Sequence, residues 1–276
     1  MIDVHTHLHP PRLFAAIRRW FGERSDWDLA RQPTEPQQVA AELRRAGVER
    51  FVFCSYAHRT GMASELNAWL LATSQALDGY GVPLATIHPD DPAYLADLRA
   101  ALDGGCIGLK LHEDVQRVRA DDVRFDSVYS ELAARHALLL VHAGPIPWRY
   151  LPGDGVARIE RVLERHPDLV VVVAHFGVPD SARYVALMER YPSLYLDTTM
   201  VFAADSPMLD ANVAALVRTR PDRVLYGTDY PNIPHRYTSE LEALQRLKLG
   251  DAALRAILHA NAQRLIARVT HAEGFA

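Results

Sequence analysis

The 276-residue chain has only two cysteines, Cys54 and Cys106, well separated and each inside an apolar run. Both read as buried free thiols, which suits a reducing compartment. No apolar run approaches the ~20 residues of a membrane span. The start, Met1-Ile2-Asp3-Val4-His5, lacks the basic region and apolar stretch of a secretory signal, so the expectation is a cytoplasmic protein. There is no basic stripe, and the net charge is −4; this argues against nucleic-acid and polybasic membrane contacts and leaves a small molecule as the expected partner. No G-x-G-x-x-G or G-x-x-x-x-G-K appears, removing the usual phosphate loop of an open doubly wound sheet. No long Pro/Gly/Ser linker, repeat or low-complexity stretch divides the chain, so residues 1–276 are expected to form one domain.

What is present is a regular alternation. Short β-rich runs fall at Ile2–His7, Arg50–Ser55, Pro83–His88, Cys106–His112, Ala137–Ala143, Leu169–His175, Leu194–Thr199 and Arg223–Asp229. Between them apolar residues recur at helical spacing, as in Gln37–Ala46, Ala63–Leu77, Tyr94–Leu102, Val128–His136, Val156–His166, Ala182–Tyr191, Leu209–Arg218 and Ser239–Lys248. A last helix is expected over Asp251–Val269, capped by Asp251. The Pro-rich stretch Gln32–Pro36 reads as a loop before a helix. Strands alternating with helices imply parallel pairing through crossovers, and eight such units favour a closed (β/α)8 TIM-like barrel.

In such a barrel alternate side chains face the interior, and active sites occupy the C-terminal ends of the strands. His5 and His7 share parity; if Val4 faces the helices, both imidazoles face the axis. They then lie about 6.5–7 Å apart along the strand, close enough to converge on one cation. The same reading gives Leu138, Leu140 and His142 on the fifth strand, Val171, Val173 and His175 on the sixth, and Leu225, Gly227 and Asp229 on the eighth. Each apolar or small series ends in one ionisable group at the rim. Imidazoles plus a carboxylate suit zinc or a similar divalent ion, with a position left for water whose pKa the metal lowers to ~7. Asp229 is the expected proton acceptor and donor beside that water, and His175 the group that polarises the substrate.

Lys110 shares inward parity with Gly108 and His112 on the fourth strand. A lysine there is costly unless paired or modified: it is a carbamate bridging two metals, an amine binding an anionic substrate, or the partner of Asp229 or another acid in a salt bridge. His88 ends a strand but precedes Pro89-Asp90, which suits a capped turn. His136 and His166 fall at helix C-termini, where they meet the dipole favourably. No feature of position recommends His9. Rim residues expected to face substrate are His58, Arg59, His112, Trp148, Arg149, Asn232, His235 and Arg236, an arginine there being able to hold a carboxylate bidentately.

The motifs Val4-His5-Thr6-His7, Gly108-Leu109-Lys110-Leu111-His112, Leu140-Val141-His142-Ala143-Gly144, Val173-Ala174-His175-Phe176-Gly177 and Leu225-Tyr226-Gly227-Thr228-Asp229-Tyr230-Pro231 follow one another in order, with Asn261-Ala262-Gln263-Arg264-Leu265 near the end. Together they resemble the amidohydrolase superfamily, in its amidohydrolase 2 branch. The resemblance implies a distorted TIM barrel with His5, His7, His142 and Asp229 as ligands of one divalent ion, zinc by expectation. His175 is implied as a catalytic histidine, or as a ligand where a second metal is bound, and Lys110 matches the strand that carries a carbamylated lysine in two-metal members. The branch includes hydrolases of lactones and amides and nonoxidative decarboxylases of aromatic or unsaturated acids. The leading expectation is hydrolysis of a small ester, lactone or amide, because this compact chain lacks the insertions of the decarboxylases. The rivals are decarboxylation at the same metal and a non-catalytic ligand-binding barrel. A homodimer is a common outcome for such barrels.

Overall fold

A computed structural model describes residues 1–25, 27–144, 153–203, 206 and 208–272. Eight parallel strands run in chain order: β1 Ile2–His7, β2 Arg50–Cys54, β3 Gly81–Pro83, β4 Gly108–His112, β5 Leu138–His142, β6 Val170–Val173, β7 Leu194–Asp197 and β8 Val224–Leu225. Each pairs with the next, and the two regular sheets they form are joined into a ring at both seams. Between β3 and β4 the Ala85 amide donates to the Gly108 carbonyl (2.8 Å), and the Lys110 amide donates to the Ala85 carbonyl (2.9 Å). Between β8 and β1 the Val4 amide donates to Tyr226 and the His7 amide to Tyr230, while the Asp229 amide returns to the His5 carbonyl (2.8 Å). The expected third strand begins two residues early, at Gly81, and its regular pairing ends at Pro83; beyond it the chain stays extended to the Ala85 bridge. Close approach of β4 to β5 requires Gly108, where a Cβ would lie 2.1 Å from the Leu138 carbonyl oxygen.

The helices are α1 Pro11–Gly22, α2 Pro36–Arg45, α3 Ala63–Ala76, α4 Tyr94–Asp103, α5 Glu113–Gln116, α6 Asp126–Ala134, α7 Gly155–Arg165, α8 Ser181–Leu187, α9 Ala211–Thr219, α10 Ser239–Arg246, α11 Asp251–Arg255 and α12 Asn261–Ala272. The expected last helix is divided by a wider π-helical turn over Ala256–Ala260, and Asp251 lies inside it, after Gly250. Helices α1 and α5 were not expected. Among the described residues no helix is long and apolar enough to cross a membrane.

Two apolar clusters express the strand alternation. Phe51, Phe53, Leu109, Leu111, Leu139, Val141, Val171 and Val173 face outward onto the helix layer. Ile2, Val4, Val52, Cys54, Leu84, Leu138, Leu140, Val170, Val172 and Leu225 fill the barrel, and α12 adds Ala262, Leu265, Ile266 and Val269 at i, i+3, i+4 and i+7 spacing. Two parity expectations are corrected here. Val4 belongs to the interior cluster, because the register of β1 against β2 shifts between Asp3 and Thr6, and this irregularity turns His5 and His7 inward beyond Val4. Val171 and Val173 face the helices, so His175 reaches the rim by a turn rather than by strand alternation.

One buried ion pair ties the tops of β4 and β5. Arg158 of α7 donates from Nε (2.7 Å) and Nη2 (2.6 Å) to the two oxygens of Glu113 of α5, and the Ala120 amide also donates to Glu113 (2.8 Å). Removing one member leaves a charge with no counterion. We expect Arg158→Met to lose about 3–5 kcal/mol of stability, and Glu113→Leu/Arg158→Met to recover most of it. Urea unfolding of the three proteins tests this; a single variant within about 1 kcal/mol of the parent would show that the pair does not tie these loops.

Candidate functional site

His5 stands at the centre of the rim. Its Nδ1 donates to Asp197 at the end of β7 (2.8 Å), with Thr199 Oγ1 at 3.1 Å. Proton placement on Nδ1 leaves Nε2 with a lone pair facing inward. Around Nε2 gather the Asp229 carboxylate (3.1 Å) and the Lys110 amine (2.9 Å). Burial, then the charge of Lys110, lowers the pKa of His5 to about 4.

His7 is arranged in the same way by different atoms. The Cys54 thiol donates to the Thr6 carbonyl, and its sulfur lies 3.4 Å from His7 Nδ1. His7 Nε2 meets Asp229 Oδ1 at 2.8 Å, and the Tyr56 hydroxyl is 3.1 Å from that nitrogen. Burial opposes charge on His7, yet Cys54 and Asp229 outweigh it and hold the imidazole at about 9. Burial likewise opposes charge on Asp229, but His7 and His5 keep its carboxyl well below the usual range. Among the described residues the ligand atoms of His5, His7 and Cys54 lie within 4.8 Å of one another. Two imidazole nitrogens and a carboxylate oxygen on one point are a donor set that fits a divalent ion of the zinc or manganese type.

His142 shares the cavity but touches rings. It stacks on His112, its register partner across β4 and β5, with centroids 4.0 Å apart and planes at 9°, and meets His175 edge-on at 4.5 Å. His112 Nδ1 accepts from the Val115 amide (3.4 Å) at the start of α5, and burial, then Lys110, keeps its pKa well below the ordinary value. His175 is held by a turn in which it and Phe176 adopt positive φ (56° and 50°). Its amide donates to Asp197 (2.9 Å) and its Nδ1 to the Thr199 carbonyl (3.2 Å). Asp229 also has positive φ (67°). Gly227 is required two residues earlier, since a Cβ there would lie 3.0 Å from that of His5 and 2.6 Å from Thr199 Oγ1.

Above these groups lies a cavity of about 450 Å3. His5, Tyr56, His58, Lys110, His112, His142, His175, Asp229 and Asn232 form its floor and sides. Leu13, Ala16, Ile17, Trp20 and Phe21 of α1, with Trp27, form an apolar wall. Other rim expectations are corrected. Arg59 is exposed and does not line the cavity; Arg236 is exposed and pairs with Glu242; His235 turns toward Glu240 (3.8 Å). Trp148 and Arg149 lie outside the described residues. His9, which nothing in the sequence recommended, is buried and bonded at both nitrogens, to Ser55 and Asn232. Asp197, Cys54, Tyr56 and α1 were missed. Asp197 follows the rule used for the other strands, an interior series (Tyr195, Asp197) ending in a charge, and that rule would have found it.

Fold and site together define a parallel barrel with a cation-type histidine–carboxylate centre at the C-terminal ends of its strands. The chain belongs to the amidohydrolase family, whose model (amidohydrolase 2) matches residues 2–268; its members are enzymes. It is 22% identical over 295 residues to a 6-methylsalicylic acid decarboxylase of Penicillium expansum, covering 88% of this chain and 90% of that one. A TIM-barrel protein from Bordetella bronchiseptica superposes with a TM-score of 0.75 at 23% identity, covering 98% and 100% of the two chains. A 5-carboxyvanillate decarboxylase from Novosphingobium aromaticivorans, complexed with manganese and 4-hydroxy-3-methoxy-5-nitrobenzoic acid, superposes at 0.67 with 15% identity, covering 96% and 95%.

Beneath His5, Asp3 is buried, accepting from the His5 amide (3.1 Å) and from the hydroxyls of Thr228 (2.7 Å) and Tyr237 (3.1 Å). Burial dominates and raises its pKa to about 7. Between about pH 4 and 7 the folded chain therefore holds a proton that the unfolded chain releases, so this group's contribution to stability falls as pH rises through that window and is flat above it. The full span is on the order of 4 kcal/mol at 1.36 kcal/mol per unit. Asp3→Asn should be less pH-dependent than the parent over pH 4–7, as measured by chemical denaturation; identical slopes would mean that Asp3 is ionised in the fold.

Proposed function

We propose that this chain is a metal-dependent, nonoxidative decarboxylase of small aromatic carboxylic acids. One divalent ion would be held by His5, His7, His142 and Asp229, zinc or manganese on the donor set. When bound, the ion supplies a positive centre for substrate oxygens and for negative charge developing during the reaction. The observation that carries the reading is the cavity: its wall is Trp20, Phe21, Trp27 and the aliphatic face of α1, and Lys110 is the only lysine or arginine among its described lining residues. A flat apolar ring with one carboxylate matches that inventory. The Penicillium expansum and Novosphingobium aromaticivorans relatives, named for decarboxylation of aromatic acids, support the same choice.

The residues divide the work. Lys110, beside His5 Nε2, receives the substrate carboxylate as an unmodified amine. Asp229, kept anionic by His7 and His5, serves the ion rather than giving up a proton. His175 donates its Nδ1 proton to Thr199, so the proton it exchanges is carried at Nε2, over the cavity. That proton passes to the ring carbon bearing the carboxylate. The carbon–carbon bond then breaks, its electron pair returns to the ring, and carbon dioxide leaves. One proton is taken up per turnover and is replaced from solvent. The wall of α1 excludes water during this step.

Hydrolysis of a small ester, lactone or amide, the expectation from compactness, would use the same ion with Asp229 as the base. It remains the second reading because the anionic Asp229 suits that role. Purified protein loaded with zinc or manganese and given a panel of hydroxybenzoic acids should release carbon dioxide, with about one equivalent of metal per chain. His175→Ala should lower kcat by about 10²–10⁴-fold while metal is retained, whereas Asp229→Asn should lose the metal itself. Turnover of lactones or esters with no carbon dioxide from any aromatic acid would replace this reading with hydrolysis. Cys54→Ala, by freeing the His7 ring, should weaken metal affinity about tenfold in chelator competition; unchanged affinity would remove Cys54 from the support of the site.

A further inference from the structure

The cavity above the histidine–carboxylate floor holds about 450 Å3, the space of roughly fifteen waters at ~30 Å3 each. An ion with one water takes about two of those shares. A one-ring hydroxy acid has about ten non-hydrogen atoms, and atoms joined by bonds occupy less room apiece than separate waters. Space for on the order of five further heavy atoms is left over. On the side of α1 that space is lined by Leu13, Ala16, Ile17 and Trp20, at i, i+3, i+4 and i+7. They form one apolar stripe about 10 Å long at ~1.5 Å per residue. Met200 and Met208, beyond β7, line the same cavity. Their unbranched thioether side chains adapt to irregular apolar shapes. All of these side chains are half-buried, within reach of a ligand in the cavity.

We infer that the substrate carries an alkyl chain of about five carbons on the ring carbon opposite its carboxylate, and that the α1 stripe with Met200 and Met208 is the subsite for that chain. The inference rests on the proposed reading of an aromatic acid as substrate and narrows the class of acid. With the carboxylate drawn to Lys110 and the ion on the floor, the opposite ring carbon points away from the floor, along the wall. A polar substituent there would give up its water for a stripe that offers no hydrogen bond. A methylene chain exchanges water for aliphatic and aromatic surface, which is favourable. An acid without the chain leaves that part of the cavity to water and gains from α1 only what its ring touches.

The test uses metal-loaded protein and a series of 2-hydroxybenzoic acids carrying hydrogen, methyl, propyl or pentyl at the 4-position. Binding is followed by quenching of tryptophan fluorescence, since Trp20 and Trp27 line the cavity, and turnover by carbon dioxide release. In the parent protein, affinity at one site per chain should rise about three- to fourfold per methylene, on the order of 100-fold from methyl to pentyl. Ala16→Phe, which puts a ring in the middle of the stripe, should weaken the pentyl acid about tenfold more than the unsubstituted acid, with metal content unchanged. A series that is flat or falls beyond methyl, or a rise that survives intact in Ala16→Phe, would overturn the inference, and the parent series decides if the variant does not fold. Rising affinity without carbon dioxide release would keep the chain subsite and refute the decarboxylase reading. Carbon dioxide from the shorter acids with no dependence of binding on chain length would do the reverse. Failure of every acid to bind would refute the two together.

Discussion

The His5 imidazole is held from four directions, and most of the upper barrel exists to hold it. Asp197 from β7 accepts the hydrogen bond of its Nδ1–H, Asp229 beyond β8 and Lys110 from β4 converge on Nε2, and its own backbone carbonyl receives the Asp229 amide. A ring gripped by elements remote in sequence can sit there only if the barrel is closed. The seam between β8 and β1 is therefore a requirement of the chemistry as well as of the fold. A buried imidazole between two carboxylates and an ammonium is unfavourable unless its hydrogen bonds are complete and its charges balance. Around that neutral ring Asp197 and Asp229 balance Lys110 and His7, and a divalent ion bound there would replace the proton that His7 carries.

Delivering these groups requires unusual backbone. His175, Phe176, Met200 and Asp229 all have positive φ, where a side chain is disfavoured by roughly 1–2 kcal/mol. At His175 and Asp229 the strained amide is the one that donates a hydrogen bond into the site, to Asp197 and to the His5 carbonyl. The turn is held by the bond it makes possible. This coupling explains why the ionisable groups sit just beyond the ends of regular pairing: within a straight strand the next inward position lies a full two residues on, and only a left-handed turn brings a side chain back over the axis.

The order of eight strands, the inward direction of Lys110, His112, His142 and Asp229, and the ring of ionisable groups could be read from the chain, because parity along a parallel strand is a local property and Leu138–Leu140 or Leu225–Gly227 report it directly. The reading failed where local regularity fails. The β1 irregularity between Asp3 and Thr6 places Val4 inside together with the histidines, and the turn at Ala174–Phe176 delivers His175 from a strand of opposite parity. Arg59 and Arg236 were expected at the rim because they follow strands, but an arginine's long side chain takes whichever carboxylate or solvent lies nearest, as Arg236 does with Glu242. Helix α1 escaped notice because its apolar face is half-buried over a cavity rather than packed into the core, so its pattern has no partner strand to complete it.

That unseen helix bears most on the choice between reactions. A centre of three histidines, a carboxylate and an ion is equally serviceable for activating water and for polarising an acid; nothing in its donor set selects one. Selection falls to what surrounds it. A wholly polar rim would admit water freely to the ion, whereas Leu13, Ala16, Ile17 and Trp20 make one wall of the cavity apolar. Protonating a ring carbon requires that water not compete for the developing charge, and an apolar wall weakens that competition by lowering the local dielectric and strengthening each contact beside it. On the proposed reading, the barrel supplies a general-purpose cation centre, and the helix inserted directly after the first strand, by deciding how much water reaches it, decides what that centre does.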